Sequence, residues 1–180
     1  GYDGYDGNVG VVIRSTDNGL SWNNVTFPTV QGFMGVGFGN NTFVAVGYDG
    51  NIVRSTDNGA TWENATSPTS NHLYDVTFGN NTFVAVGSSG NIVRSTDNGS
   101  SWDNVTSPTA NSLWGVGFGN NIFVAVGDNG SIVRSTDNGS SFDNATSPTS
   151  NHFRGITFAN NTFVAVGYSG NIIRSTDNGS

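Results

Sequence analysis

Residues 52–62 read IVRSTDNGATW. Their centre, RSTDNG, recurs at positions 14, 54, 94, 134 and 174, a spacing of 40 residues each time. Thr-Asp-Asn-Gly is turn chemistry: Asn and Gly tolerate positive φ, and Asp bonds back to its own turn. Ile-Val before it and an aromatic after it make the pattern of a hairpin between two strands. A fixed period of this length marks a repeat array, and missing it would misassign the whole fold.

Residues 71–110 form one unit: NHLYDVTFGN NTFVAVGSSG NIVRSTDNGS SWDNVTSPTA. Residues 31–70 and 111–150 are its full copies. Residues 151–180 supply three quarters of another, and residues 1–30 about the second half of one. The chain 1–180 therefore reads as a single repeat array with no linker. Each unit predicts four short strands, at 73–78, 82–87, 91–96 and 101–106 in the chosen copy. The connectors GNN, SSG and DNGS suit tight hairpins. Pro108 follows the fourth strand, where a missing N–H does no harm to a ladder. No segment carries a helical period.

The second strand, TFVAVG, is apolar on both faces, so it is covered from both sides. The first strand repeats Phe33, Leu73, Leu113 and Phe153 at its start, and Phe38, Phe78, Phe118 and Phe158 at its end. One such sheet is too small to offset its own conformational entropy. The sheets must stack on one another. Four antiparallel strands at this period are the signature of a β-propeller blade. The fold class expected is all-β, built from four-stranded antiparallel blades.

Composition removes several functions. Charged residues are 11% of the chain, against about 25% in an average soluble domain. Net charge is -7, and all six basic residues are Arg. An acidic surface without a basic stripe argues against nucleic acid. It argues equally against anionic lipid, and no apolar run is long enough for membrane insertion. There is no Cys, hence no disulfide framework. No signal peptide is visible; the chain begins at Gly1, which reads as a mature or excised piece.

The stretch Ser55 to Trp62, S-T-D-N-G-A-T-W, resembles the Asp-box (S-x-D-x-G-x-T-W) of sialidase-like and related β-propellers. The full unit is similar to the BNR-type repeats of photosystem II stability/assembly factor-like proteins. The resemblance covers essentially the whole chain, and it implies a box between the third and fourth strands of each blade. The hairpin reading puts it there independently. Asp57 is expected to accept N–H bonds across its turn, and Trp62 to fold back and bury its ring beside Ile52. The same structural roles fall to Asp17 and Trp22, Asp97 and Trp102, Asp137 and Phe142, with Phe142 packing more loosely. The fifth box has Asp177 and ends before any aromatic. Copies of one turn on different blades do not converge, and the loop lacks the dense oxygen set of a calcium loop. The boxes are read as structural, with no metal and no cofactor.

The strand count does not close a ring: four first-and-second-strand pairs face five box hairpins. The sequence reads as a window on a longer array, or as an open array completed between chains. Heterologous contacts that fail to close make filaments, and half-blades expose strand edges that favour pairing. Self-association, or packing on neighbouring repeats of a longer chain, is the partner expected.

Variation between copies gathers at the blade-to-blade connection with the start of the first strand, and at the turn between second and third strands (48–49, 88–89, 128–129, 168–169). Both lie on one rim of a meander. Met34, Tyr74, Trp114 and Arg154, with His72 and His152, are the candidate ligand-binding residues there, suited to a sugar or a peptide. The resemblance raises sialidase chemistry, but Arg14, Arg54, Arg94, Arg134 and Arg174 share one repeat position on the third strand. They are expected to hold a neighbouring carbonyl or carboxylate. Glu63 is the single Glu, and no paired carboxylates suit glycoside hydrolysis. The chain is read as non-enzymatic.

N-x-[ST] recurs at Asn24, Asn64, Asn104 and Asn144 in the fourth strand, and at Asn40, Asn80 and Asn160 in the first hairpin turn. These are candidate glycan acceptors, relevant in a secreted chain. The function expected is an extracellular or cell-surface scaffold, fibre or adhesion module. A carbohydrate- or protein-binding propeller is the alternative. An assembly-factor role and a glycosidase follow.

Overall fold

A computed structural model of the chain describes residues 10–29, 31–177 and 179. The first hairpin joins β1 (Val12–Arg14) to β2 (Asn23–Val25). Three four-stranded antiparallel sheets follow. The first holds β3 (Phe33–Gly39), β4 (Thr42–Gly47), β5 (Ile52–Ser55) and β6 (Glu63–Asn64). The second holds β7 (Leu73–Gly79), β8 (Thr82–Gly87), β9 (Ile92–Ser95) and β10 (Asp103–Val105). The third holds β11 (Leu113–Gly119), β12 (Ile122–Gly127), β13 (Ile132–Ser135) and β14 (Asp143–Asn144). A three-stranded sheet of β15 (Phe153–Ala159), β16 (Thr162–Gly167) and β17 (Ile172–Ser175) ends the series. No α-helix occurs among the described residues.

Sequence dictates these boundaries through turn chemistry. Asn40 and Asn41 carry φ of 47° and 56°, the left-handed pair that a two-residue type I′ hairpin demands. The outer strands are shorter than expected: the fourth spans three residues at most, against the six read from sequence. The box turn and the Ser-Pro segment bend the chain on either side of it.

The sheets stack in a row through their first strands, β3 on β7, β7 on β11 and β11 on β15. Each interface repeats the last. Val44, Val46 and Ile52 of one sheet meet Leu73, Val76, Phe83, Ala85, Val93 and Trp102 of the next. Val84, Val86 and Ile92 meet the equivalent set ending in Phe142. A Cβ at Gly39 would fall 2.0 Å from the Phe78 ring, so glycine there is the socket for the neighbouring Phe. Gly79 and Gly119 seat Phe118 and Phe158 in the same way. The row does not close. Val36 and Phe38 of the first sheet, and Val166 and Ile172 of the last, remain exposed where Val76 and Ile92 are buried.

Each hairpin Trp bonds back to its own turn, but that contact alone does not bury the ring. Trp62 donates its Nε1–H to Gly59 O at 3.3 Å and its ring contact is Phe43. Trp102 makes the same bond to its own Gly99 O at 3.1 Å and, like Phe142, also lies in a core shared with the preceding sheet. Exposure follows that neighbour: Trp22 is 58% exposed, Trp62 is half-buried and Trp102 is 5% exposed. Phe142, expected to pack loosely, is as buried as Trp102, because the valines of β8 cover it.

Trp102→Ala should therefore cost about 3–5 kcal/mol, the range for a buried large aromatic, and Trp22→Ala less than about 0.5 kcal/mol. Denaturant unfolding measures both. Equal losses would show that the ring acts within its own hairpin alone.

Candidate recognition site

The repeated box turns are self-contained. Asp57 accepts from Ser55 Oγ at 2.8 Å, Ala60 N at 3.0 Å, Thr61 N at 2.9 Å and Thr61 Oγ1 at 2.7 Å. Ser55 Oγ in turn accepts from Gly59 N at 2.9 Å. Ser15, Ser95 and Ser135 repeat this bridge around Asp17, Asp97 and Asp137. At Asp177 the Ser175 hydroxyl takes the same part. The serine was legible as part of the repeat, but its buried bridging role was not assigned from sequence.

These bonds favour the ionised carboxylates. The hydroxyl and amide of Ser21, then Ser15, hold Asp17 at about 2, against an ordinary 3.8. The Ser141 hydroxyl leads the same effect at Asp137, also about 2, against partial burial. Asp57 is lowered too, chiefly by Thr61. At Asp97 burial pushes up and is outweighed by bonds from Ser101, Ser95 and Ser100. The boxes thus hold charge for their own turns.

The third-strand arginines tie one sheet to the next. Arg14 Nε donates to Asn58 O at 2.6 Å and Arg94 Nε to Asn138 O at 2.8 Å. Arg54 Nη1 reaches Asn98 O at 3.4 Å, and its Nε lies 2.9 Å from Glu63 Oε1. On the same rim as the boxes, Asn40 Nδ2 bonds Asn81 and Asn98, and Asn138 Nδ2 bonds Thr82 Oγ1 at 2.7 Å. Asn24, Asn40, Asn64, Asn80, Asn104, Asn144 and Asn160 are all exposed. Asn40 is engaged as above, and Asn104 Nδ2 donates to Pro68 O.

The opposite rim carries a different arrangement. Tyr74, Trp114 and Arg154 occupy one register position on β7, β11 and β15, so the stacking of sheets stacks them too. The Tyr74 and Trp114 rings lie 4.0 Å apart and 4° from parallel. The Arg154 guanidinium carbon sits 3.9 Å from the Trp114 ring centre and 4.4 Å from that of Tyr168. The result is a ladder, Tyr74–Trp114–Arg154–Tyr168, held by ring stacking and cation–π attraction. Burial pushes the Tyr74 hydroxyl pKa up.

Asp128, in the turn between β12 and β13, anchors the ladder. Its Oδ1 accepts Trp114 Nε1–H at 2.9 Å, lies 2.8 Å from His152 Nδ1, and is 3.4 Å from Arg154 Nη1. In the neutral tautomer with its proton on Nδ1, His152 offers Nε2 as an acceptor. His72 has the reverse arrangement: its Nδ1 accepts from Asp49 N at 3.0 Å, beside the Tyr48 ring. Of the sequence candidates, the structure gathers Tyr74, Trp114, Arg154 and His152. His72 lies with Tyr48 and Asp49. Met34 stands on the first sheet and lines an apolar cleft there. Asp128 and Tyr168 were visible as variable turn residues; nothing in the sequence said that they meet Arg154 across a sheet boundary.

Asp75 stands alone among its copies, which are Gly35, Gly115 and Gly155. Its carboxylate accepts from Val76 N and from Val116 N of the next sheet, each at 2.9 Å. Burial nonetheless raises its pKa.

Among the described residues no group of His, Cys, Asp or Glu could hold a metal ion, and no helix is long and apolar enough to cross a membrane. No protein-family model and no curated protein matches the chain. Solved structures do. YCF48 bound to a D1 peptide has TM-score 0.69 at 19% identity, over 93% of this chain and 58% of that one. A catalytically inactive virginiamycin B lyase from Staphylococcus aureus, with quinupristin, has TM-score 0.74 at 21% identity, over 93% and 63%. The computationally designed protein Ika4 has TM-score 0.68 at 16% identity, over 84% and 95%. The fold is that of β-propeller blades. The chain spans about three-fifths of the length of the YCF48 and lyase structures.

The box carboxylates, lowered in the fold, contribute stability that is present above 3.8 and lost as pH falls toward about 2. Asp75, raised, acts with the opposite sign, but it is one group against at least four. The melting temperature should therefore fall as pH drops from 3.8 to about 2. A rise through that window in a thermal scan series would contradict the box geometry.

Proposed function

We propose that the chain is a non-enzymatic recognition module, an open arc of Asp-box propeller blades that binds a polypeptide segment of a partner protein on its variable rim. The observation that carries the reading is the Tyr74–Trp114–Arg154–Tyr168 ladder. Trp, Tyr and Arg are the residues that most often dominate protein interfaces, and here intramolecular stacking has already fixed their rotamers. A pre-ordered surface spends less entropy on binding. The ladder's neighbours add a carboxylate, Asp128, and two imidazoles, His72 and His152, for polar contacts with backbone or side chains.

Three further points support the proposal. The Ser–Asp–Gly bridge at each hairpin fits the Asp-box pattern read from sequence. Asp128 Oδ1 is already engaged by Trp114, His152 and Arg154, an arrangement suited to holding a surface rather than turning over a substrate. YCF48, similar in fold, is known bound to a peptide. A scaffold role outside the cell remains compatible with the exposed N-x-[ST] asparagines, but the ladder favours recognition over bulk structure.

The test is selection of 12-residue peptides from a displayed library on the native protein. Selected peptides should bind Trp114→Ala and Arg154→Ala at least about tenfold more weakly, the loss typical of an interface hot spot. Arg154→Lys should recover only part, because an ammonium stacks poorly between rings. Unchanged binding to both Trp114→Ala and Arg154→Ala would refute the proposal, as would a glycan array showing saturable sugar binding and no selected peptide.

A further inference from the structure

The variable rim holds two imidazoles at one repeat position, and their surroundings give them opposite hydrogen-bonding characters. His72 immediately precedes β7, and His152 immediately precedes β15. Each meets the turn of the sheet before it. The turn Tyr48–Gly50 opens with a tyrosine, whose ring stands edge-on to His72 with centroids 5.1 Å apart. His72 Nδ1 accepts there from the Asp49 backbone N–H at 3.0 Å. A ring nitrogen that accepts carries no proton, so the neutral ring is protonated on Nε2. The turn Asp128–Gly130 opens instead with a carboxylate, whose Oδ1 lies 2.8 Å from His152 Nδ1. A carboxylate only accepts, so Nδ1 carries the proton and Nε2 of the neutral ring keeps its lone pair. One difference between copies, Tyr48 against Asp128, thus sets opposite tautomers.

The outer nitrogens differ accordingly. The two side chains are 42% and 43% exposed. His72 offers a donor and His152 an acceptor, and the ladder on β7, β11 and β15 spans the sheets that carry them. We propose, resting on the recognition role above, that these imidazoles bind the main chain of the partner segment. His72 Nε2–H donates to one of its carbonyls, and His152 Nε2 accepts from one of its N–H groups. A polypeptide backbone supplies both groups at every residue other than proline. A sugar hydroxyl donates and accepts alike, so it would not call for two unlike posts.

Protonation acts on the posts unequally. His152 faces the Asp128 carboxylate, with Arg154 Nη1 on the same oxygen at 3.4 Å and the Tyr168 ring 5.9 Å away. His72 faces Tyr48 and Asp49, whose Oδ1 lies 3.6 Å from Nδ1, and Tyr74 and Asp75 follow it on its own strand. A second proton converts His152 Nε2 from acceptor to donor while Nδ1–H stays on Asp128. On His72 the second proton displaces the Asp49 N–H and leaves Nε2–H a donor. Acid therefore removes the accepting post and keeps the donating one.

The experiment has two arms, both on the full chain. Imidazole nitrogen NMR at about pH 8, where the group is ordinarily neutral, should show His72 protonated on Nε2 and His152 on Nδ1. The same tautomer at both, or the reverse pair, would overturn the proposal. The second arm takes a peptide selected on the native protein and replaces each amide in turn by an ester, which removes one N–H. One replacement should weaken binding at least about tenfold in the parent but less than about twofold in His152→Phe, where the post it meets is gone. His152→Gln and His72→Gln, which restore a polar group, should each bind more tightly than the matching Phe variant. Parent binding should weaken at least about tenfold between about pH 8 and about pH 5, and His152→Gln binding should not. Equal ester sensitivity in parent and His152→Phe, Gln no better than Phe at either position, or parent binding indifferent to pH would overturn the proposal. Each of those results leaves the recognition role standing if Trp114→Ala still weakens binding; if it does not, both fall.

Discussion

The structure depends on one contact made again and again: valines on the second strand of a sheet pressed against the box hairpin of the next. Val44 reaches Gly99 and the core around Trp102; Val84 reaches Gly139 and the core around Phe142. Neither sheet could supply this alone. A four-stranded sheet of 40 residues buries too little apolar surface to outweigh its chain entropy. The box turn holds its aromatic at the right height with a buried serine and an ionised aspartate. The arginine of the preceding sheet then caps the turn's asparagine carbonyl. Stability is thus a nearest-neighbour property, as in other repeat arrays.

The same geometry builds the rim. Sheets that stack through their first strands bring identical register positions to ring-stacking distance, so Tyr74, Trp114 and Arg154 form a ladder without any further device. Copies differ here because the position sits beyond the core that every repeat shares, and what varies is the chemistry presented. Asp128 illustrates the economy: one turn carboxylate fixes an indole, an imidazole and a guanidinium from two sheets.

Much of the fold was legible in the chain. The five RSTDNG copies, the Asn-Asn hairpins and the two-faced TFVAVG strand each dictate local structure through turn geometry and period, and together they force stacking. The candidate site was only half legible. Tyr74, Trp114 and Arg154 could be placed on one rim by comparing copies, but their mutual stacking depends on the distance between sheets, which no single unit encodes. The hairpin aromatics misled for a related reason. Local reading puts Trp62 over its own turn, whereas burial is decided by the sheet before it, so identical boxes leave Trp22 exposed and Trp102 covered.

Native-state hydrogen exchange resolved by residue tests the nearest-neighbour account most directly. It predicts that amides of β8 and β12, flanked by sheets on both sides, exchange slowest and at matching rates, with β4 intermediate and β1 and β17 fastest. Equal protection in all sheets, end sheets included, would mean that each blade is stable by itself and would contradict the account.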